Sequence, residues 1–381
     1  MLSAPNTTRR AVITGSGVVT PFGELQQSIE GVRARRSAFA PVRAFDASSF
    51  AESRAGECHD FDARPWFRIP KALKLADQRT RLGVAAACIA FADAGFADDD
   101  AASVGIVVGS SSHDMQAVDV GRAVGPLSDG DVMDIDYFGA RVLRKLPPLW
   151  LLVNLPNMAS AHIGIQLGAH GPNSTLTTDW IAGLQAIGEA ARWIEDGEAD
   201  VVIAGGADCG VLPLLYATLD AEGYFDGGTF VPAEGAALFV VEELAHARAR
   251  GARILAEITG YATSTGTGAL ARTMVKALGD REPSSMDLLC DAALFAGAHA
   301  EEEERAISSV FTTPPPRFEC SSVAGFAMAA AAPLALALAP SIAFPADAPT
   351  RRRSILVNSL GSMQQAASLA VTTGGPSNDP V

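Results

Sequence analysis

Short β-branched runs that end in glycine recur along the chain, at Ala11 to Gly15, Val104 to Gly109 and Val201 to Gly206. They read as strands buried on both faces, the signature of a parallel sheet covered by helices. Between them lie helical patterns. Asp77 to Gly95 (DQRTRLGVAAACIAFADAG) places apolar residues at three- and four-residue steps and stops at a glycine, and residues 181–197 (IAGLQAIGEAARWIEDG) repeat that form. The alternation predicts an α/β protein with mostly parallel sheets.

The 381 residues allow two or three domains of about 150 residues, or one large duplicated unit. A charged connector around Glu242 to Arg253 is the best internal boundary, which predicts units over 1–243 and 244–381. Strand-like runs resume beyond it at Ile254 to Tyr261, Ile307 to Phe311, Ser354 to Ser359 and Ala367 to Thr372.

Composition narrows the function. With 48% hydrophobic and 19% charged residues, the chain is neither disordered nor collagenous. A net charge of −14 opposes non-specific attraction to nucleic acid or to an anionic membrane, so neither is expected as a partner. The five cysteines lie far apart without C-x-x-C spacing, and reduced, mostly buried thiols are expected. The apolar run after Arg9 and Arg10 is too short for a secretory leader, so the expected location is cytoplasmic. Cys320 to Ala346 carries no charge and precedes Arg351, Arg352 and Arg353, as a membrane span might; its prolines and small residues favour a helix buried in protein. The six histidines show no H-x-x-x-H or H-E-x-x-H spacing, and no phosphate-binding glycine loop is present, so no metal and no cofactor are expected.

Four blocks carry more specific information: AVITGSGVVTPFG at the start, NMASAHIGIQLGAHGPNSTLTT in the centre, then AIGEAARWIEDGEADVVIAGGAD and EGAALFVVEELAHARARGARILAEITGY. Together, and in this order, they resemble the β-ketoacyl-acyl carrier protein synthases of the thiolase fold. The resemblance implies two similar halves, each a five-stranded mixed sheet with helices, stacked in five αβαβα layers. Ser322 to Ala339 would supply one of the buried helices.

The family's reaction uses a thiolate at the N-terminus of a buried helix, where free amides and the helix dipole lower its pKa. The cysteine stands in a Thr-Ala-Cys-x-x-Gly context, matched here by Thr178-Asp179-Trp180-Ile181-Ala182-Gly183, so the nucleophile position is Trp180. An indole cannot carry a thioester. The family's first histidine position falls on Ala292. The second, in Lys-Ser-x-x-Gly-His-x-x-Gly, falls on Ser322 when Arg317 is taken for the lysine. The oxyanion turn Asn-Ser-Phe-Gly-Phe-Gly-Gly-Thr-Asn reads Asn358 to Ala366 here and has lost turn glycines.

A chain without the cysteine and both histidines resembles the chain-length factor of type II polyketide synthases, which pairs with an active ketosynthase and shapes its acyl tunnel. The resemblance implies a heterodimer serving polyketide or polyene assembly, with an acyl carrier protein as a further partner. It places Trp150, seven residues before Asn157, together with Ser112 and Met115, at the tunnel wall; ordinary interface packing is the alternative. It places Lys71 and Lys74 where carrier proteins dock; a solvated helix start is the alternative. Trp180 either fills the dead thiol pocket or is simply core. The other functional readings are an inert homodimeric scaffold or acyl-chain binding protein, and an enzyme rebuilt around Asp179 or Ser322.

Overall fold

The structure is a computed structural model that describes residues 9–97, 101–111, 148–291, 298–344 and 351–373, with 136, 139, 140 and 144. Its first series of long-range strands is β1 (Ala11–Val19), β2 (Gly105–Gly109), β3 (Asn173–Leu176), β4 (Val201–Cys209) and β5 (Glu234–Glu243). These lie in the order β3-β2-β4-β5-β1. The second series is β6 (Ala256–Thr265), β7 (Leu288–Cys290), β8 (Arg317–Phe318), β9 (Arg353–Leu360) and β10 (Gln365–Thr373), in the order β8-β7-β9-β10-β6. Each series therefore runs third, second, fourth, fifth, first. Within each, the third, second and fourth strands are parallel and the remaining pairs antiparallel. The two first strands meet in a short antiparallel seam, Val12 with Glu257 and Ile13 with Ala256.

The helices are α1 (Leu25–Arg33), α2 (Gln78–Asp93), α3 (Met158–Leu167), α4 (Ala182–Asp196), α5 (Pro213–Ala221), α6 (Leu244–Ala249), α7 (Ala269–Leu278), α8 (Ala298–Val310) and α9 (Ala331–Ala343). Asp77 caps α2 by accepting from the Thr80 amide at 2.8 Å, and Gly95 and Gly197 follow α2 and α4 in left-handed conformations, as a helix stop requires. Side chains alternate across β2: Val107 packs inward with α4 and α9, while Ile106 and Val108 pack outward with α2 and α3. The inner cluster joins Leu184 and Ile187 of α4 and Leu334 of α9 to strands of both halves, among them Val202, Val357 and Leu369. The outer face of the second half is covered by α7 and α8 through Met274 and Ile307. This is a five-layered α/β arrangement with two buried central helices.

Two sequence expectations are corrected. Ile307 to Phe311 is not a strand; it is the last turn of α8 and the residue just past it. Glu303, Ala306, Ile307 and Phe311 are all buried, at the three- and four-residue steps of a helix face, and the short β-branched run concealed that period. The helix expected over 322–339 comes in three pieces: a turn at Ser321–Ala324, a single 3₁₀ turn at Met328–Ala330, and α9. Gly325 (φ 87°) ends the first piece and the left-handed Met328 (φ 47°) opens the second. Pro333 sits in the first turn of α9, where its missing N–H leaves no helical bond unmade, and the helix continues through Pro340. Among the described residues no helix is long and apolar enough to cross a membrane.

The central helices approach their neighbours backbone to backbone. A Cβ on Gly183 or Gly206 would overlap the Ala329 carbonyl, and one on Gly109 would overlap Ala182. Where the sheet meets the connector, the fully buried Glu242 accepts from Arg250 Nε and Nη2 (2.6 Å each) and from Thr14 Oγ1 (2.8 Å), and also bonds His246 Nδ1 (2.6 Å). Arg250 donates onward to the Ala94 carbonyl at the end of α2 and lies over the Phe96 ring, 4.0 Å from its centroid. Burial raises the pKa of Glu242, but the bonds from Arg250, Thr14 and His246 outweigh it and hold the carboxyl below the ordinary range.

Because that folded pKa lies below the unfolded one, about 4.3, the network stabilises fully above the unfolded value and is lost as pH falls through the folded value. Glu242→Gln is expected to lower unfolding free energy by about 3 kcal/mol near neutrality and to flatten the acid limb of a urea-unfolding pH series. An acid limb parallel to that of the parent would show that the network carries no such linkage. Gly206→Ala is expected to cost about 1–3 kcal/mol or more in the same assay.

Candidate functional site

The centre of the molecule is the head of α4. Residues Asp179–Ile181 form a 3₁₀ turn that runs straight into the helix, and Asp179 adopts a left-handed backbone (φ 58°) that a short polar side chain tolerates. The turn carries Trp180 inward, where it is 3% exposed. Its indole meets the Tyr224 and Phe326 rings edge to face, with centroids at 5.3 and 5.1 Å, and lies 6.2 Å from Phe230. Phe230 and Phe326 are themselves in contact at 5.4 Å. Backbone bonds fix the box: the Phe326 amide donates to Val231 O and the Ala233 amide donates to Phe326 O, beside Phe230. Each aromatic pair is worth about 0.5–1.5 kcal/mol beyond its buried area.

The polar side of the same turn faces the loop between β9 and β10. Asp179 Oδ2 accepts from both the amide and the hydroxyl of Ser362, at 2.7 Å each, and Ser359 Oγ donates to the Trp180 carbonyl at 3.1 Å. The Gly361 amide donates to Gln365 O (2.8 Å) and the Met363 amide to Gln365 Oε1 (3.1 Å). The amides of residues 361–363 are thus all engaged within the protein. None is left facing a position where an oxyanion would develop.

One buried carboxylate ties these parts to the sheet. Asp208, at the end of β4, is fully buried; its Oδ2 accepts from the Ser111 and Ala329 amides (2.8 and 3.1 Å) and its Oδ1 from the Cys209 amide (3.0 Å). Arg79, 1% exposed, donates to Ser110 Oγ and to the capping carboxylate of Asp77 (2.9 and 3.0 Å). Neither Asp208 nor Arg79 is singled out by any sequence motif.

The thiols are elsewhere. Cys58, Cys209, Cys290 and Cys320 are buried and Cys88 lies half-buried on α2. Burial pushes the Cys58 and Cys290 thiols well up and Cys320 up to about 12, so these three stay protonated at neutral pH. Among the described residues no group of three metal-ligating side chains converges.

Of the residues singled out by sequence, Trp180 occupies the helix head. Ser322 does not face it: Ser322 is exposed, and its amide and hydroxyl bond the Glu319 carboxylate (2.9 and 2.5 Å). The residue brought against Trp180 is Phe326. Ser321 through Ala329 (SSVAGFAMA) fits Lys-Ser-x-x-Gly-His-x-x-Gly four residues later than the register on Arg317, keeping the serine and the first glycine and placing Phe326 at the histidine. Arg317 is instead paired with Asp291 (2.8 Å) and Glu304. Burial pushes Asp291 up to about 6 despite that pairing. Ala292, Ser112 and Met115 lie outside the described residues. Trp150 opens a helical turn, Trp150–Val153, and its side chain also lies outside them. Lys71 and Lys74 are exposed on the 3₁₀ segment Pro70–Leu75.

A profile of the family described as "Beta-ketoacyl synthase, N-terminal domain" matches residues 8–247. The chain belongs to the β-ketoacyl synthase family. It is 30% identical over 279 residues to the "3-oxoacyl-[acyl-carrier-protein] synthase 2" of Vibrio cholerae, covering 67% of this chain and 63% of that protein. It is 36% identical over 276 residues to the "Actinorhodin polyketide putative beta-ketoacyl synthase 1" of Streptomyces coelicolor, covering 67% of this chain and 57% of that protein. The match therefore spans less than two thirds of these relatives' own length. Among solved structures, "The ishigamide ketosynthase/chain length factor" superposes with a TM-score of 0.82 at 27% identity, over 96% of this chain and all of that one.

In this member of the β-ketoacyl synthase family an indole stands at the head of α4, against the turn between β9 and β10. Trp180→Ala is expected to lose about 3–5 kcal/mol of stability in chemical denaturation; a loss under about 1 kcal/mol would show that the aromatic box is not a packed unit. Trp180→Cys is expected to show no condensation of malonyl and acyl carrier proteins by product mass, because Ala292 and Phe326 supply no imidazole.

Proposed function

We propose that this chain is the non-catalytic, chain-length-factor member of a ketosynthase pair, acting in polyketide assembly and, within that, in a polyene-making system. The observation that carries the reading is Trp180: at the head of α4, where the family reaction needs a thiolate, there is an indole enclosed by Tyr224, Phe230 and Phe326. The engaged amides of residues 361–363 support it, as does the likeness to the ishigamide ketosynthase/chain length factor. The alternative of an enzyme rebuilt around Asp179 or Ser322 gains no support: Asp179 is taken up by Ser362, and the Ser322 hydroxyl is bonded to a carboxylate at the surface.

In this reading the partner is an active, cysteine-bearing ketosynthase. Two surface features favour a partner. Among the described residues, strand β3 ends the sheet with only β2 bonded to it. Nearby segments expose apolar side chains, Ile165 on α3 and Leu149 and Leu152 before it. Growing chains would then lie against the segment that holds Ser112, Met115 and Trp150, and an acyl carrier protein would approach over Lys71 and Lys74.

The deciding experiment is the native mass of the protein purified from its own host, with co-purifying chains identified. A one-to-one complex with a Cys-containing ketosynthase is expected; a stable homodimer without one would overturn the reading. In the reconstituted pair, Trp150→Ala is expected to shift products toward longer chains, and an unchanged distribution removes Trp150 from the tunnel. Reversing the charges of Lys71 and Lys74 is expected to slow extension, and an unaltered rate rejects carrier docking there.

A further inference from the structure

The loop that follows β1 and the segment running from Glu57 to Trp66 enclose a cavity of about 540 Å³. That volume lies within the range of small-molecule sites, roughly 300–1,000 Å³. In the loop, Thr20 and Gly23 exchange both of their backbone bonds (2.8 and 2.9 Å) and the Phe22 amide donates to Thr20 Oγ1 at 3.1 Å, which fixes Phe22 at the tip of a tight turn. The other segment supplies Phe61, whose amide donates to Cys58 O at 3.3 Å, and Trp66, on the 3₁₀ turn Arg64–Trp66. All three rings line the cavity and are half-buried: Phe22 rests on the inner hydrophobic cluster, Phe61 and Trp66 on the outer one.

The charge on this wall has one sign. Glu24, Glu57, Asp60 and Asp62 line the cavity, and among the described residues no lysine or arginine does. Glu57 is buried, accepts from the Arg43 and Ala44 amides (2.9 and 3.1 Å), and lies 3.2 Å from His59 Nε2. Asp62 is paired with Arg64 at 2.9 Å, and Arg36 lies 5.8 Å from the centre of the Phe22 ring without lining the cavity. Even with Arg64 and Arg36 counted against the four carboxylates, two negative charges are in excess. Glu24 and Asp60 are exposed and, among the described residues, hold no ion pair. The Cys58 thiol, also in the wall, is protonated and adds no charge.

The rings and the spacing of the carboxylates decide what kind of cation fits. Among the described residues no three ligating side chains converge, as a metal ion requires. A cleft lined by charge of one sign between apolar walls focuses its field on a counter-ion. An aromatic face holds a cation within about 6 Å of the ring centre. An organic cation with hydrocarbon between its charges satisfies all of these walls at once.

We infer that this cavity is a binding site for an aliphatic diammonium ion, with its two charged ends held by the Glu24 and Asp60 carboxylates and its methylene chain laid against Phe22, Phe61 and Trp66. Charge complementarity sets the sign of the ligand, and the three rings set its hydrocarbon. The cavity shares no lining residue with the aromatic box around Trp180 or with Lys71 and Lys74. The site does not depend on which reaction the chain serves.

The test is isothermal titration of the full chain with 1,4-diaminobutane, with 1,4-butanediol as its uncharged twin and with magnesium chloride. One diamine per chain is expected to bind, more weakly as salt rises, and the diol is expected not to bind. Glu24→Gln with Asp60→Asn is expected to weaken the diamine about tenfold or more. Glu301→Gln with Glu302→Gln removes the same charge from α8 and is expected to leave binding unchanged, which separates the site from the general attraction of a chain of net charge −14. Trp66→Leu is expected to weaken the diamine about two- to fivefold through the lost ring face. Melting curves establish that each variant is folded. Equal binding by the parent and the Glu24, Asp60 variant would overturn the inference, as would no binding at millimolar diamine. So would magnesium binding as tightly as the diamine.

Discussion

The buried carboxylate of Asp208 is the joint on which the centre of the molecule depends. It gathers three amides from three stretches of chain, Ser111 beyond β2, Cys209 in β4 and Ala329 ahead of α9. Burial pushes the pKa of this carboxyl up, and the nearby Arg79 charge and the bonds from Ser111 and Ala329 work against that rise without cancelling it. By fixing Ala329 the carboxylate fixes the left-handed Met328 and, just before it, Phe326. The aromatic wall around Trp180 is therefore set by an electrostatic knot one residue layer away.

The chain has the fold of the β-ketoacyl synthase family, and at the head of its buried helix α4 stands an indole. A helix head presents partial positive charge whatever side chain stands at it. In this chain that charge meets the Asp179 carboxylate, which turns to the 361–365 loop and holds it through Ser362. The inward position is filled by an indole that needs no ionisation. Packing and a carboxylate clamp occupy the helix head and the turn that faces it.

The strands and helices that bury both faces were legible in the sequence because burial leaves long runs: β2, β4, α2 and α4 begin and end within a few residues of their glycine and aspartate signals. What failed was short or degenerate. Strands β7 and β8 are three and two residues long and leave no period to read. Ile307 to Phe311 looked extended because isoleucine and valine flank two serines, while the helical face became visible only once Glu303 was seen buried. In the site, the place of Trp180 just ahead of α4 was legible because Gly171 and Gly183 bracket it. Phe326 was not, since it lies in an alanine-rich run that gives no purchase for register, and the fold alone brings its ring to the indole.

The mirrored strand order leaves the sheet with two unlike ends. Among the described residues, one end is β3, four residues long and bonded to β2 alone; at the other, β8 is two residues long and its Arg317 is held by Asp291 and Glu304. A short, charge-anchored edge resists strand addition, and an open one invites it. Of these two ends, β3 presents the longer run of backbone to a further strand, and β8 the shorter and more tightly anchored one.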